Sequence, residues 1–236
     1  MTTTLITGAT RGLGLETARQ LAGAGHTVYL GARDLKQGQE AAKPIGAHAI
    51  QLDVTDEESV QAAAKHVRAE AGTLDVLINN AGISGTWNPP AEITAADMES
   101  VYATNVFGLV RVTHAFLPLL DTSSNPVIVN VSSSGGSLTR CSDPTSLEAT
   151  FPMVAYCSSK SAVNMITVQY ANAFPQMRIN AVHPGSIATD FNPRGTQSAE
   201  ECAEFIVRMA DAGTNGPTGP ATPTGTFLEA DGPVPW

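Results

Sequence analysis

The chain has little cysteine, little charge and no long apolar run. Its three cysteines, Cys141, Cys157 and Cys202, are too few and too irregularly spaced for a disulfide framework or a zinc site. Charged residues make up 15% of the 236 residues, below the usual figure of about 25%, which argues against disorder and excludes a charged coiled coil. No stretch approaches the roughly 18 apolar residues of a membrane span, and the first residues lack the pattern of a secretory signal. We therefore expect a soluble, cytoplasmic protein.

Basic residues are equally scarce. Lysine and arginine number 13 against 22 aspartates and glutamates, and the net charge is −9. The basic residues are scattered, so the chain offers no electrostatic surface for nucleic acid or for an anionic membrane. The composition therefore favours a small-molecule partner, and we expect no nucleic acid, no membrane and no bound metal.

Short apolar segments alternate with alanine-rich segments of helical periodicity. This pattern is typical of a parallel sheet covered on both faces, and it predicts an α/β fold: one domain, residues 1–236, with a doubly wound Rossmann-type parallel sheet. The predicted strands are Leu5-Ile6, Val28–Leu30, Ala49–Leu52, Val76–Ile78, Val127–Val131 and Ile179–Val182. The predicted helices are residues 13–24, 35–43, 57–71, 95–119 and 154–173.

Two segments interrupt the alternation. Residues 132–153 are rich in Ser, Thr, Gly and Pro and predict a long loop, and residues 211–226 carry dense turn signals. The apolar Phe227–Glu229 then predicts a last sheet strand, with Trp236 packed on the body of the fold. A disordered tail is the alternative.

A glycine-rich turn, Thr7-Gly8-Ala9-Thr10-Arg11-Gly12-Leu13-Gly14, joins the first strand to the first helix. Glycines there let the backbone approach a phosphate, and the helix N-terminus supplies N–H donors; a tight turn without a ligand is the alternative. Arg11 and Arg33, which follows the second strand, can pair with the 2′-phosphate of NADP. Asp34 would suit the ribose of NAD, but it also suits an N-cap for a helix starting at Leu35. NADP is therefore preferred over NAD.

Tyr156 and Lys160 lie four residues apart and share one face of a predicted helix. An ammonium about 5 Å from the phenol favours the phenolate by roughly 3 kcal/mol at an effective dielectric constant of about 20. This predicts a pKa of Tyr156 lowered toward neutrality, where tyrosine acts as a general acid or base. An ordinary amphipathic helix with an exposed lysine is the alternative.

Three further polar segments lie where ligands bind in such sheets or close to it. Serines 132–134 follow the fifth strand and either meet a ligand or start a turn. Asn79-Asn80-Ala81-Gly82 closes the fourth strand, as a turn or as backbone support at the sheet edge. Asn105 is a poor helix former within a predicted helix, so it either faces solvent or joins a polar network.

Taken in chain order, these motifs resemble those of the short-chain dehydrogenase/reductase family. The resemblance covers nearly the whole chain and adds Asp53 after the third strand and Pro184-Gly185 after the sixth. It implies that Tyr156 is the general acid in carbonyl reduction and that Lys160 lowers its pKa and holds the nicotinamide ribose. It implies that Ser133 orients the carbonyl, and that Asn105 kinks its helix and holds a water joined to Lys160.

The resemblance also implies which residues contact the cofactor. Around the phosphates these are Gly8, Thr10, Arg11, Gly12, Leu13, Gly14 and Arg33. Asp53 and Val54 would meet adenine, and the adenosine ribose side would meet Asn80, Ala81 and Gly82. The nicotinamide would lie against Tyr156, Lys160, Pro184, Gly185, Ile187 and Thr189.

Ser133 and Tyr156 are farther apart in sequence than is usual in the family. The insertion, at about 137–153, resembles that of monomeric carbonyl reductases and of menthone and salutaridine reductases. There it covers a helix that otherwise forms an oligomer interface, so a monomer is favoured and a homo-oligomer is not excluded.

The candidate substrate wall is apolar and extends into a substrate loop at about 186–200. The candidate residues are Ile83, Trp87, Leu138, Phe151, Met153 and Phe191. Such a wall suits a hydrophobic ketone or aldehyde; the alternative is that most of these residues are core. For His183, a loop histidine satisfied by the backbone is preferred over a substrate contact.

The expected function is therefore NADPH-dependent reduction of a hydrophobic ketone or aldehyde, with Asn105, Ser133, Tyr156 and Lys160 as the catalytic set. Two alternatives remain. One is a non-catalytic redox sensor that binds NADP, because one fold hosts many functions. The other is an NAD-linked alcohol dehydrogenase, which rests on Asp34.

Overall fold

The computed structural model describes residues 1–150, 152–188, 195–211 and 224–236. Its strands are β1 (Thr3–Ile6), β2 (Thr27–Ala32), β3 (His48–Gln51), β4 (Val76–Asn79), β5 (Val127–Val131), β6 (Arg178–Val182), β7 (Phe227–Glu229) and β8 (Gly232–Pro233). They form one sheet in the order β3-β2-β1-β4-β5-β6-β7-β8, parallel except for β8. The predicted doubly wound sheet is confirmed.

Helices cover both faces of this sheet. They are α1 (Gly12–Gly23), α2 (Leu35–Ala42), α3 (Glu57–Glu70), α4 (Ala95–Tyr102), α5 (Leu109–Leu120), α6 (Leu138–Ser142), α7 (Val154–Ala173) and α8 (Ala199–Asp211). Successive strand side chains point to opposite faces. Leu5 and Leu77 accordingly pack in a core with α3, α5 and α7, whereas Ile6 and Ile78 pack with α1, α2 and α8.

The predicted helix at 95–119 is divided by a π-helical segment, Ala103–Gly108, between α4 and α5. Gly108 lies so close to Val54 that a Cβ at Gly108 would meet the Val54 Cγ2 atom at 2.8 Å. By length and composition, the stretch Ala95–Leu120 is apolar enough to span a membrane, so the expectation that no stretch approaches that length is wrong; 56% of its most apolar window is buried inside the fold. A core helix of a sheet protein has the same properties.

The structure adds two helices to those predicted. α8 begins after Ser198, whose hydroxyl accepts from the Glu201 amide at 3.2 Å while the Glu201 carboxylate accepts from the Ser198 amide at 2.9 Å, as in a capping box. α6 lies inside residues 132–153, so the prediction of a long loop there is wrong. α6 forms for a local reason: the buried Ser137 side chain accepts a hydrogen bond from the Arg140 amide at 3.0 Å and caps the helix.

The C-terminal strand is confirmed. Phe227–Glu229 pairs in parallel with β6 and antiparallel with β8, and the ring of Trp236 stacks on the buried Phe227 at 5.8 Å. Most of the turn-rich segment 211–226 lies outside the described residues. Below, β7, β8 and the residues that follow to Trp236 are called the C-terminal hairpin.

Candidate active site

The predicted site residues lie together at the carboxyl ends of the parallel strands. β1, β4, β5 and β6 are aligned so that Ile6 pairs with Ile78, Asn79 with Asn130 and Val131 with Val182. The segments that leave these strands therefore meet at their carboxyl ends, where ligands bind in open α/β sheets.

The glycine turn packs closely against the segment that follows β4. Gly8 and Gly12 have φ angles of 62° and 56°, in the left-handed region that favours glycine. A Cβ at Gly14 would meet the Asn80 Nδ2 atom at 2.5 Å. That amide donates to the carbonyl oxygens of Thr7 at 2.8 Å and Gly8 at 3.0 Å, so Asn80 holds the turn in shape.

The start of α1 fits a dinucleotide phosphate. The N–H groups of a first helical turn have no acceptor within the helix, and Arg11, at the N-cap, makes no side-chain cap there. Arg33 is exposed just beyond β2. Asp34 caps α2, because its carboxylate accepts from the Gln37 amide at 3.0 Å, which confirms the N-cap interpretation.

The predicted adenine neighbours lie beyond β3. Asp53 is half-buried, and its Oδ1 atom accepts from the Thr55 amide at 2.9 Å and the Thr55 hydroxyl at 2.7 Å. Val54 is buried, and its carbonyl accepts from Arg111 at 2.6 Å. Both residues are thus held in a fixed loop at the sheet edge.

Asn105 lies in the π-helical segment and joins a buried polar network. Its Oδ1 atom accepts from the Ile83 amide at 2.8 Å, and its Nδ2 atom donates to the Ile83 carbonyl at 2.9 Å and the Ser159 hydroxyl at 3.0 Å. Of the two possibilities left open for Asn105, the network is confirmed and solvent exposure is wrong. Asn105 ties the loop after Gly82 to α7.

Ser133, Tyr156 and Lys160 lie together. The Ser133 side chain is hydrogen-bonded to Tyr156 and also accepts from the Gly135 amide at 3.3 Å. The Lys160 Nζ atom lies 5.6 Å from the centroid of the Tyr156 ring and donates to the Val131 carbonyl at 2.8 Å. Two hydroxyls and a buried ammonium therefore share one end of the sheet.

The segment after β6 folds back on itself. The Gln197 side chain accepts from the Ser186 amide at 2.8 Å, and Ile187 forms a bridge with Gln197. Gly185, with a φ of 112°, lies so close to Gln197 that a Cβ would meet its Oε1 atom at 2.3 Å. Pro184, Gly185 and Ile187 thus lie in an ordered turn, while Thr189 and Phe191 lie outside the described residues.

Comparison with known proteins identifies the family. A model of the short chain dehydrogenase family matches residues 2–200. The chain belongs to the short-chain dehydrogenase family. Members of this oxidoreductase family generally bind NAD or NADP.

Individual relatives of this short-chain dehydrogenase are named as dehydrogenases or reductases of small molecules, among them a carbonyl reductase. It is 34% identical to a (+)-neomenthol dehydrogenase of Arabidopsis thaliana, over 87% of this chain and 90% of that one. It is 30% identical to salutaridine reductase of Papaver somniferum, over 91% and 92%, whose solved structure has a TM-score of 0.82 at 28% identity over 96% and 99%. An NADPH-bound carbonyl reductase from chicken fatty liver has a TM-score of 0.85 at 28% identity, over 99% and 98%.

The predicted lowering of the Tyr156 pKa is wrong for this short-chain dehydrogenase. Burial raises the pKa of Tyr156 to about 12, although its hydrogen bond with Ser133 acts in the opposite direction. Burial lowers the pKa of Lys160 to about 8. Burial disfavours the phenolate because its charge loses solvation, and the Lys160 ammonium, which is bonded to the Val131 carbonyl, does not offset that cost.

This arrangement predicts a pH dependence of stability. Between about pH 8 and about pH 10.5, the folded chain has released the Lys160 proton while the unfolded chain still holds it, so stability rises with pH in that window. The difference in free energy of unfolding between wild type and Lys160→Met, measured by urea denaturation, is expected to shift in favour of wild type from about pH 7 to about pH 10. A difference that stays flat with pH would contradict a lowered pKa.

Several residues that the sequence did not assign to the candidate catalytic set hold α7 in place. The Ser132 hydroxyl donates to Asn164 Oδ1 at 2.7 Å, and Asn164 Nδ2 donates to the Gly136 carbonyl at 3.2 Å. A Cβ at Gly136 would meet three atoms of Lys160 at 2.9 to 3.0 Å. The loop that carries Ser133 therefore packs directly on the helix that carries Tyr156 and Lys160.

His183 departs from its prediction. Its main-chain amide donates to the Leu228 carbonyl at 2.8 Å, but its Nδ1 atom is buried and has no hydrogen-bond partner among the described residues. The interpretation of a side chain satisfied by the backbone is therefore wrong. Burial lowers the pKa of His183, and the neighbouring Glu229 carboxylate opposes that shift.

The candidate substrate residues are only partly core. Trp87 is 57% exposed and Leu138 is 70% exposed, so the alternative that most candidates are core fails for these two. Ile83 is half-buried beside Asn105, and Met153 is half-buried at the start of α7. Phe151 lies outside the described residues.

Proposed function

We propose that this short-chain dehydrogenase reduces a hydrophobic ketone or aldehyde to the alcohol, with NADPH as the cofactor. The observation that carries the proposal is the hydrogen-bonded Ser133–Tyr156 pair with the buried Lys160 ammonium 5.6 Å from the phenol ring. The names of the relatives support a carbonyl substrate. The exposed apolar side chains of Trp87 and Leu138 support a hydrophobic one.

The protein groups supply the proton and the charge stabilisation. The nicotinamide, when bound, supplies a hydride to the carbonyl carbon. Tyr156, whose raised pKa keeps its phenol protonated at neutral pH, donates its proton to the carbonyl oxygen, and the Ser133 hydroxyl donates a hydrogen bond to the same oxygen. The phenolate that remains lies beside the Lys160 ammonium, which stabilises it until solvent restores the proton.

The preference for NADPH rests on the charges near the end of β2. Arg33 is exposed there, and Arg11 lies in the glycine turn. A guanidinium suits a 2′-phosphate because it can donate two parallel hydrogen bonds. Asp34, the residue that would favour NAD, is engaged in capping α2.

Arg33→Ala is expected to weaken NADPH binding by about tenfold or more, because a charge-assisted contact to the 2′-phosphate is lost. NADH binding, which lacks that contact, is expected to stay within about twofold. Cofactor fluorescence titration measures both dissociation constants. Arg68→Ala, which removes an exposed arginine at the end of α3, is the control. Equal losses for NADPH and NADH would contradict the assignment.

The proposed function is tested by following NADPH and NADH consumption against a panel of aliphatic, terpenoid and aromatic ketones and aldehydes. Turnover with NADPH on the apolar members is the expected result. NADPH binding without any turnover across the panel would overturn the proposal and favour a redox sensor. Faster oxidation of the corresponding alcohols with NAD⁺ than with NADP⁺ would favour an NAD-linked alcohol dehydrogenase.

A further inference from the structure

The insertion helix α6 lies between the catalytic residues and the C-terminal hairpin. It begins five residues after Ser133. On its catalytic side, the Cys141 thiol donates to the Gly135 carbonyl at 3.4 Å and is hydrogen-bonded to the Cys157 thiol. Gly135 is two residues from Ser133, and Cys157 follows Tyr156. A shift of α6 would therefore displace both Ser133 and Tyr156, which are called the hydroxyl pair below.

On its other side, α6 is fastened to the C-terminal hairpin by two contacts. The Arg140 guanidinium binds both Glu229 oxygens, at 3.0 and 2.5 Å. Thr139 donates to the Trp236 carbonyl oxygen from its amide at 2.9 Å and from its hydroxyl at 2.6 Å. Because Trp236 stacks on the buried Phe227, the hairpin gives α6 a firm support.

Arg140 and Glu229 form a bidentate, partly buried ion pair. The two side chains are only 26% and 24% exposed, and bidentate arginine–carboxylate pairs are stronger and more directional than single contacts. The Glu148 carboxylate lies 3.9 Å from Arg140, and the His183 ring is near enough to be affected by all three charges. Removing Arg140 leaves the Glu148 and Glu229 carboxylates without their arginine, and removing Glu229 leaves Arg140 with the more distant Glu148 alone.

We infer that the Arg140–Glu229 pair is a specificity clamp, in which two positioning residues anchor α6 as a wall of the substrate cleft and thereby set the affinity for the carbonyl substrate. The inference rests on the proposed function for its substrate and on the contacts of α6 for its geometry. Neither residue touches the reacting atoms. The clamp acts by fixing where α6, with its exposed Leu138 side chain, stands relative to Ser133 and Tyr156.

The clamp predicts a separation of kinetic constants. Arg140→Gln and Glu229→Gln are each expected to raise KM for the best ketone about tenfold while kcat falls less than about threefold, since the hydroxyl pair stays intact. NADPH affinity, set at the far end of the cleft, is expected to stay within about twofold. Arg19→Gln, which breaks the ion pair between the exposed Arg19 and Glu16 on α1, is the control and is expected to leave all three constants unchanged.

The double variant Arg140→Gln/Glu229→Gln decides whether the two residues act as a pair. It removes both charges together, so its KM is expected to rise no more than that of the worse single variant. Additive rises would overturn the inference, because they would mean that the two side chains act separately. Equal losses of kcat, substrate affinity and NADPH affinity would also overturn it, because they indicate general destabilisation.

Limited proteolysis separates this inference from the proposed function. Residues 138–150 are expected to be cut about tenfold faster in either single variant than in wild type or Arg19→Gln, because local unfolding becomes easier. Mass spectrometry maps the cuts. If wild type reduces no carbonyl compound, the proposed function fails. The rate of cutting still shows whether the Arg140–Glu229 pair anchors α6. Unchanged cutting would overturn the clamp, whatever the kinetics show.

Discussion

Tyr156→Phe is expected to lower kcat for carbonyl reduction by about 10² to 10⁴-fold, the usual contribution of a positioned general acid. The variant keeps the ring, its packing and its place beside Lys160 and removes only the proton donor. With a pKa raised to about 12, the wild-type phenol is protonated throughout the neutral range, so its loss removes the acid from every molecule. Stopped-flow or steady-state NADPH oxidation measures the effect.

The control lies on the same helix. Tyr170, near the far end of α7, stacks on Phe174 at 6.1 Å and is remote in sequence from the hydroxyl pair, so Tyr170→Phe is expected to retain wild-type turnover. NADPH affinity of Tyr156→Phe, measured by fluorescence titration, is expected to remain within about threefold of wild type. Full reductase activity in Tyr156→Phe would refute the role assigned to this residue.

Gly136→Ala is expected to damage stability and activity together. The added methyl group would lie 2.9 to 3.0 Å from the carbonyl carbon, Cβ and carbonyl oxygen of Lys160. Either α7 or the loop that carries Ser133 must therefore move. Overpacking of this kind costs about 1 to 3 kcal/mol, and a displacement of about 1 Å between catalytic groups can reduce activity about 100-fold. Urea denaturation and the reductase assay measure the two effects.

Gly23→Ala is the matched control, because nothing lies within 4 Å of a Cβ at that position. It is expected to leave activity unchanged and stability the same or slightly higher. If Gly136→Ala unfolds too readily for assay, Asn164→Ala removes the bond to the Gly136 carbonyl without adding bulk. Wild-type stability and activity in both variants would contradict the close packing described for this loop.

The sequence predicts the sheet better than it predicts the helices around the site. β1 to β6 are short apolar runs bounded by turns, and a buried parallel strand requires little more than such a run. α8 was not predicted, although three helix signals were present: the acidic first turn, Ser198 three residues before Glu201, and the spacing of Cys202, Phe205 and Ile206. α6 is too short to show a period at all.

The candidate catalytic residues could be named because they lie in the chain order that the family resemblance supplies, whereas the residues that support them could not. Ser132, Gly136 and Asn164 act through contacts between β5 and α7 that no local pattern encodes. The Tyr156 pKa was predicted in the wrong direction for a related reason. The distance to Lys160 follows from helical spacing, but the degree of burial depends on everything packed around the pair.

The π-helical segment Ala103–Gly108 determines how the helices on either side of it, α4 and α5, are rotated relative to each other. A π turn accommodates one residue more than an α turn. The apolar faces of α4 and α5 are therefore aligned as in a continuous α-helix with one residue fewer, and Val101 and Val112 are both buried. Losing a residue elsewhere in a helix rotates all that follows by about 100°. Here the loss of one residue would turn the π segment into an α turn and leave α4 and α5 aligned, and the residues displaced would be those of the segment itself, among them the buried Asn105 and Val106.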